Sequence, residues 1–106
     1  MASLDDELKR TVSTGKVLLG IRSALKEVGL GRSKLVILAS NCPEDLREKI
    51  LTLAKLSHIP VIAHTKTGLD LGRLCGRPFI VSSIVVKDPG DSKIMSLVNS
   101  ENAEQD

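Results

Sequence analysis

Among the side chains with chemistry of their own are the Cys42 thiol, two imidazoles and one well-placed amide, each near a boundary between predicted elements. Cys42 precedes Pro43, which reads as the start of a helix. A thiol there lies at the positive end of a dipole, which lowers its pKa and suits redox or acyl-transfer work. No CxxC accompanies it, and neither histidine is placed near it by the sequence. His58 and His64 are six apart, the first at a helix end and the second at a strand end, which is poor metal geometry. Surface or helix-capping histidines are the plainer reading, and no metal or other cofactor is expected. Asn41 can donate and accept at once, which is what reading a base edge requires. In RNA such edges are reached mostly in loops and bulges.

Three junctions bring glycine or backbone N–H groups beside basic residues. They are Gly15-Lys16 through Gly20-Ile21-Arg22-Ser23, Ser40-Asn41-Cys42-Pro43, and Leu71-Gly72-Arg73-Leu74-Cys75-Gly76-Arg77-Pro78-Phe79. A helix N-terminus offers unpaired donors and a positive dipole end, so phosphate or a base edge can dock there. Taken singly, Gly20 and Gly76 read as helix punctuation and Asn41 as a turn residue. Gly29-Leu30-Gly31-Arg32 lacks the following glycine of a dinucleotide loop and closes a helix instead of opening one.

The elements that must hold these junctions are legible from periodicity. Ser3-Leu4-Asp5-Asp6 has a Ser-x-x-acid helix start, and Leu4, Leu8 and Val12 recur every four residues to about Thr14-Gly15. Val17 to Leu19 is a short apolar stretch, and Ile21, Ala24, Leu25 and Val28 make one face of a second helix closed by Gly29 and Gly31. Lys34 to Ala39 is a continuous apolar run, the signature of a strand buried on both faces. Pro43-Glu44-Asp45 then opens a helix with inner stripe Leu46, Ile50, Leu53 and Ala54. Pro60 to His64 is a further strand, Thr67 to Asp70 a helix start, and Phe79 to Val86 a third long apolar stretch, with Phe79 opening the strand. Asp88-Pro89-Gly90-Asp91 is a turn by composition, and residues 94–98 make one more helical turn. Helices alternating with buried strands predict a three-layer α/β/α sandwich on a small mixed four-stranded sheet, class α/β. One domain is expected over residues 1–98, followed by a polar, disordered tail at 99–106.

The chain's 106 residues can bury a core without staples, and with no Trp, no Tyr and one Phe that core must be aliphatic. Cys42 and Cys75 read as free, mostly buried thiols. No apolar run resembles a signal peptide and none approaches the ~20 residues of a membrane span, so a cytoplasmic protein is expected. The formal charge of +2 hides a division: Lys9 to Lys87 holds all the Lys and Arg but Lys93, against the acids Glu27, Glu44, Asp45, Glu48 and Asp70. The remaining acids lie at the two ends. A basic body of this kind gathers a polyanion or its counterions.

Thr14-Gly15-Lys16-Val17-Leu18-Leu19-Gly20 and Lys34-Leu35-Val36-Ile37-Leu38-Ala39-Ser40-Asn41-Cys42-Pro43 resemble the archaeal and eukaryotic ribosomal protein family numbered thirty of the large subunit. So do Leu56-Ser57-His58-Ile59-Pro60-Val61, the stretch Leu71 to Phe79, and Asp88-Pro89-Gly90-Asp91-Ser92, in unbroken order from about Leu8 to Met95. That family is part of a wider group that binds kink-turn RNA, a sharply bent internal loop with sheared G·A pairs. The resemblance implies a structural constituent of the large ribosomal subunit, monomeric when free, with neighbouring ribosomal proteins and ribosomal RNA as partners and no membrane or enzymatic role. By position, Gly20 and Arg22 are implied to meet the RNA from the second helix's N-terminus, and Asn41 to read a base edge. Phe79 is implied to carry an extruded base on a half-exposed ring, with Val81 alongside. Lys16, Lys26 and Arg77 follow as phosphate neighbours from charge and position. Related proteins carry an Asn-Glu pair after the helix-entry glycine where this chain has Ile21-Arg22-Ser23, which favours the ribosomal subfamily. A kink-turn protein of another ribonucleoprotein, a translational regulator, and a thiol-dependent enzyme at Cys42 are the alternatives.

Overall fold

The computed structural model describes residues 4–97. The helix start at Ser3, the last residue of the final turn (Val98) and the polar tail at 99–106 lie outside them. The elements run α1 (Leu4–Thr14), β1 (Lys16–Leu19), α2 (Ile21–Gly29), β2 (Leu35–Leu38), α3 (Glu44–Leu56), β3 (Val61–Ala63), α4 (Gly68–Leu74) and β4 (Ser83–Asp88). A further helical turn covers residues 94–97.

The four strands form one mixed sheet in the order β1-β4-β2-β3. β4 is antiparallel to both β1 and β2, and β2 is parallel to β3. Strand alternation divides the apolar side chains between two layers. Leu35, Ile37, Ile62, Ile84 and Val86 face Leu8 of α1, Leu71 of α4 and Ile94. Val36, Leu38 and Val85 face Ala24 and Val28 of α2 and Ile50 and Ala54 of α3. All four β2 residues are fully buried, the property its unbroken apolar run predicts. This is the expected α/β/α sandwich. Among the described residues no helix is long and apolar enough to cross a membrane.

The acidic first turn of α1 is anchored into the fold. Glu7 is buried, and its Oε1 accepts the Lys93 N–H at 2.6 Å. Thr11 Oγ1 donates to the Glu7 carbonyl at 2.8 Å, so in the 2.6 Å pair with Ser92 Oγ the serine donates. Thr14 Oγ1 accepts the Asp91 N–H at 3.0 Å, and Asp88 Oδ1 accepts the Gly90 N–H at 2.9 Å inside the predicted turn. These bonds clip α1 to the 88–93 turn beside the end of β4.

One boundary differs from expectation. The third apolar stretch becomes a strand only at Ser83, so Phe79 does not open β4. Residues 79–81 instead cross α4, whose Gly68 and Gly72 lie one helical turn apart on the contact face. A Cβ on Gly72 would lie 2.0 Å from the Phe79 carbonyl oxygen, and one on Gly68 2.7 Å from Ile80 Cγ2. Val81 N–H donates to the Gly68 carbonyl at 2.9 Å, so this segment spends its hydrogen bonds on α4 and not on a strand ladder.

Candidate nucleic-acid interface

Because β1, β2 and β3 run in one direction and β4 in the other, the C-terminal ends of the first three and the start of β4 share one edge of the sheet. The chain leaves that edge through Gly20 into α2 and through Ser40-Asn41 into α3, and approaches it through residues 79–82. Hydrogen bonds tie these passages together. Gly20 N–H donates to the Ser83 carbonyl at 2.9 Å, Ala39 N–H to Ser82 at 2.9 Å, and Ser40 N–H to Lys66 at 2.9 Å. Asn41 Oδ1 accepts the Gly68 N–H at 2.9 Å. Since Gly68 also receives Val81 N–H, a continuous path of contacts links Asn41 to the Phe79 segment.

Gly20 adopts φ 112° and ψ 156°, a conformation that a side chain strains even though open space surrounds its α-carbon. It turns the chain straight from β1 into α2, and no side chain caps the first turn of that helix. The α2 N-terminus thus offers backbone donors and a positive dipole end. Arg22 is exposed in that first turn. Asn41 is exposed, and its bond to Gly68 fixes the amide so that Nδ2 points away as a pure donor. The sequence leaves both roles open to Asn41, and the fold has taken the acceptor. Phe79 is 52% exposed, the half-exposed ring expected of it, with Ile80 beside it at 64%.

Other expected contributors lie elsewhere. Val81 is fully buried among the α1/α4-side core residues, so its side chain seats the segment and presents nothing to solvent. Arg77 is exposed in the loop leading to Phe79. Lys16 starts β1 and faces Asp88, about 10 Å of strand away from the Gly20 end. Lys26 belongs to the last turn of α2, also away from Gly20. Residues to which the sequence reading gave no individual role include Ile80, Lys66 and the seating pair Gly68 and Gly72. The spacing of those glycines, i and i+4 on a helix opened by Thr67, is the signal that could have found them.

The histidine and thiol chemistry is occupied by structure. His64 is buried, and its Nδ1 accepts the Lys66 N–H at 3.0 Å. Its Nε2 therefore holds the proton and donates to Asp5 Oδ1 at 2.7 Å. Asp5 also lies 3.5 Å from Lys66 Nζ, so an acid of the N-terminal helix sits against this edge. Cys42 and Cys75 are free, buried and on opposite sides of the sheet. Burial pushes the Cys42 thiol up, against the weaker pull of the Arg47 charge. The expectation of a dipole-lowered thiol is thus reversed by desolvation. Alkylation of native protein by iodoacetamide at pH 7.4 should run roughly tenfold or more slower than with the unfolded chain. A native rate equal to the unfolded one, read by intact mass, would restore Cys42 as a nucleophile.

The family model of the ribosomal protein L7Ae/L30e/S12e/Gadd45 family matches residues 2–96. The chain is 46% identical over 95 residues to large ribosomal subunit protein eL30 of Methanothermobacter thermautotrophicus, covering 90% of this chain and 97% of that one. The protein of the same name from Saccharolobus solfataricus is 46% identical over 96 residues, covering 91% and 89%. That from Methanocaldococcus jannaschii is 50% identical over 91 residues, covering 86% and 83%.

Proposed function

This chain belongs to the ribosomal protein L7Ae/L30e/S12e/Gadd45 family, and on that premise we propose that it is a structural constituent of the large ribosomal subunit that grips a kink-turn of ribosomal RNA. The observation that carries this reading is the gathering of Gly20, Asn41 and Phe79 on one sheet edge, joined through the Asn41–Gly68–Val81 bonds. The open first turn of α2 and Arg22 take backbone phosphates. Asn41 Nδ2 donates to an acceptor on a base edge exposed by the bend, and the Phe79 ring carries an unstacked base. A preformed edge of this shape binds the kinked RNA better than the extended one, and that difference in affinity shifts the RNA toward its bent state. Work in the cytoplasm, as a monomer until it meets RNA and neighbouring ribosomal proteins, completes the reading. Binding without turnover fits the raised, buried thiol at Cys42.

A gel-shift titration of a kink-turn RNA against the same RNA with its G·A pairs replaced tests the function directly. The intact bend should bind at least tenfold tighter. Phe79→Ala should reduce that affinity by roughly 5- to 150-fold, the equivalent of one stacked base at about 1–3 kcal/mol. Equal affinity for the two RNAs would end the kink-turn reading, and an unaffected Phe79→Ala would remove the stacking role.

A further inference from the structure

Packing alone does not account for a buried imidazole at the Asn41 edge. His64 lies in the loop between β3 and α4, and its side chain is 6% exposed. An imidazole is costly to bury unless both nitrogens are bonded, and an aliphatic side chain fills such a space without that cost. Here both are bonded: Nδ1 accepts the Lys66 N–H at 3.0 Å, and Nε2–H donates to Asp5 Oδ1 at 2.7 Å. The first of these closes the bend at residues 65–66 in the way an Asn or Asp side chain closes a turn, by bonding the backbone two residues on. That bend flanks Asn41. Three hydrogen bonds lay residues 64–68 beside residues 38–41: His64 N–H to the Leu38 carbonyl at 2.8 Å, Ser40 N–H to the Lys66 carbonyl at 2.9 Å, and Gly68 N–H to Asn41 Oδ1 at 2.9 Å. Residue 66 is therefore held twice, its N–H by the ring and its carbonyl by Ser40, the residue before Asn41.

We propose that His64 is a positioning residue for RNA recognition: held by Asp5 of α1, its ring braces the bend at residues 65–66 and thereby fixes Ser40 and the direction of Asn41 Nδ2. This rests on the reading in which Asn41 addresses bent RNA, and it adds the device that sets the donor in place. The Asp5 carboxylate serves the brace twice, since it orients the ring and lies 3.5 Å from Lys66 Nζ on the loop being braced. Asn41 is thus aimed from two sides, by α4 through Gly68 and by α1 through Asp5 and His64.

Two substitutions divide the ring between its partners. His64→Asn keeps an acceptor at the Nδ1 position for the Lys66 N–H and gives up Asp5. His64→Gln keeps a donor at the Nε2 position for Asp5 and leaves the Lys66 N–H without its acceptor. Both remove the ring, so a packing role alone predicts similar consequences for RNA. Amide hydrogen exchange of Ser40 in the free protein, taken relative to Val36 of β2 in the same variant, reads the brace. The ratio of affinities for kink-turn RNA and its G·A-replaced control reads the consequence. In His64→Asn both should stay within about threefold of wild type. In His64→Gln, Ser40 should exchange roughly tenfold or more faster and the affinity ratio should fall about tenfold, the scale of one hydrogen bond left unmade. Should neither histidine variant fold, Asp5→Ala reads the same path: the ring loses its hold from α1, and both readouts should move several-fold in the His64→Gln direction. The lost carboxylate charge acts on both RNAs alike and cancels in the ratio. Equal losses in the two histidine variants, or no movement in Asp5→Ala, would make His64 a filler and overturn the proposal. Faster Ser40 exchange with an unchanged affinity ratio would overturn it as well, by detaching the loop from recognition. A wild type indifferent to the bend ends the kink-turn reading itself, while exchange in the free protein still judges the brace, so the two fail separately.

Discussion

Gly72→Ala should lower the melting temperature by roughly 10 °C and weaken kink-turn RNA binding by tenfold or more. Two effects of opposite sign compete. Alanine inside a helix is favoured over glycine by about 1 kcal/mol. Against this, the new Cβ would sit 2.0 Å from the Phe79 carbonyl oxygen and 3.2 Å from its carbon. Those atoms are backbone, held by the Val81–Gly68 bond at 2.9 Å, and cannot rotate aside as a side-chain tip would. Overpacking of this kind costs about 1–3 kcal/mol and sometimes more. A contact so far inside van der Waals range belongs at the upper end, which leaves a net loss near 2 kcal/mol. For a chain of 106 residues that corresponds to the stated fall in melting temperature. RNA affinity falls too, because the only relief is for residues 79–81 to lift from α4 and carry the Phe79 ring with them. Thermal melting and the kink-turn titration read the two consequences independently. An unchanged melting temperature with full RNA affinity would mean that α4 does not set the position of Phe79.

How much of this edge could be read in advance depended on whether the information was local. The strand at Lys34 to Ala39 was legible because a β2 buried on both faces must be apolar throughout. Thr67 announced α4 through its Oγ1, which accepts the Asp70 N–H. Phe79 drew a half-exposed ring from family likeness, whereas its place in the chain alone suggested a core strand. What local pattern could not supply was the insertion of β4 between β1 and β2. That insertion decides which ends of which elements share an edge. Lys16 and Lys26 stand close in sequence to Gly20 and Arg22, yet each lies toward the far end of its element, because a few residues of strand or helix carry a side chain across the molecule. Charge in a sequence has a sign and no address. The late start of β4 was hidden for a related reason: Phe79 to Ser82 is as apolar as a strand, and the choice was made by Gly68 and Gly72 on a different element. Desolvation of Cys42 depends likewise on α2 and α3 closing over it.

Asn41→Ala and Asn41→Asp should separate the two tasks of this side chain, and both should cost most of the selectivity for bent RNA. In the fold, Oδ1 holds the Gly68 N–H while Nδ2 has no partner among the described residues. Alanine removes both groups. The Gly68 N–H, in a buried residue, then loses its acceptor at about 1–3 kcal/mol of stability, and the RNA loses a base-edge contact of similar size. Aspartate keeps an oxygen for Gly68, so its melting temperature should stay close to wild type. Its second oxygen replaces a donor with a charged acceptor aimed at an RNA acceptor, and a contact worth about 1–3 kcal/mol becomes a repulsion. Kink-turn affinity should therefore fall by about 100-fold for Asn41→Asp and by about 10- to 100-fold for Asn41→Ala. An unbent duplex should lose little with alanine and, by added negative charge alone, only a few-fold with aspartate. Should both variants lose affinity in proportion to stability, and equally for bent and unbent RNA, Asn41 is a strut for α4 and the base is read elsewhere. Should aspartate keep stability and lose only the bent RNA, the donor face of Asn41 is what distinguishes the kink.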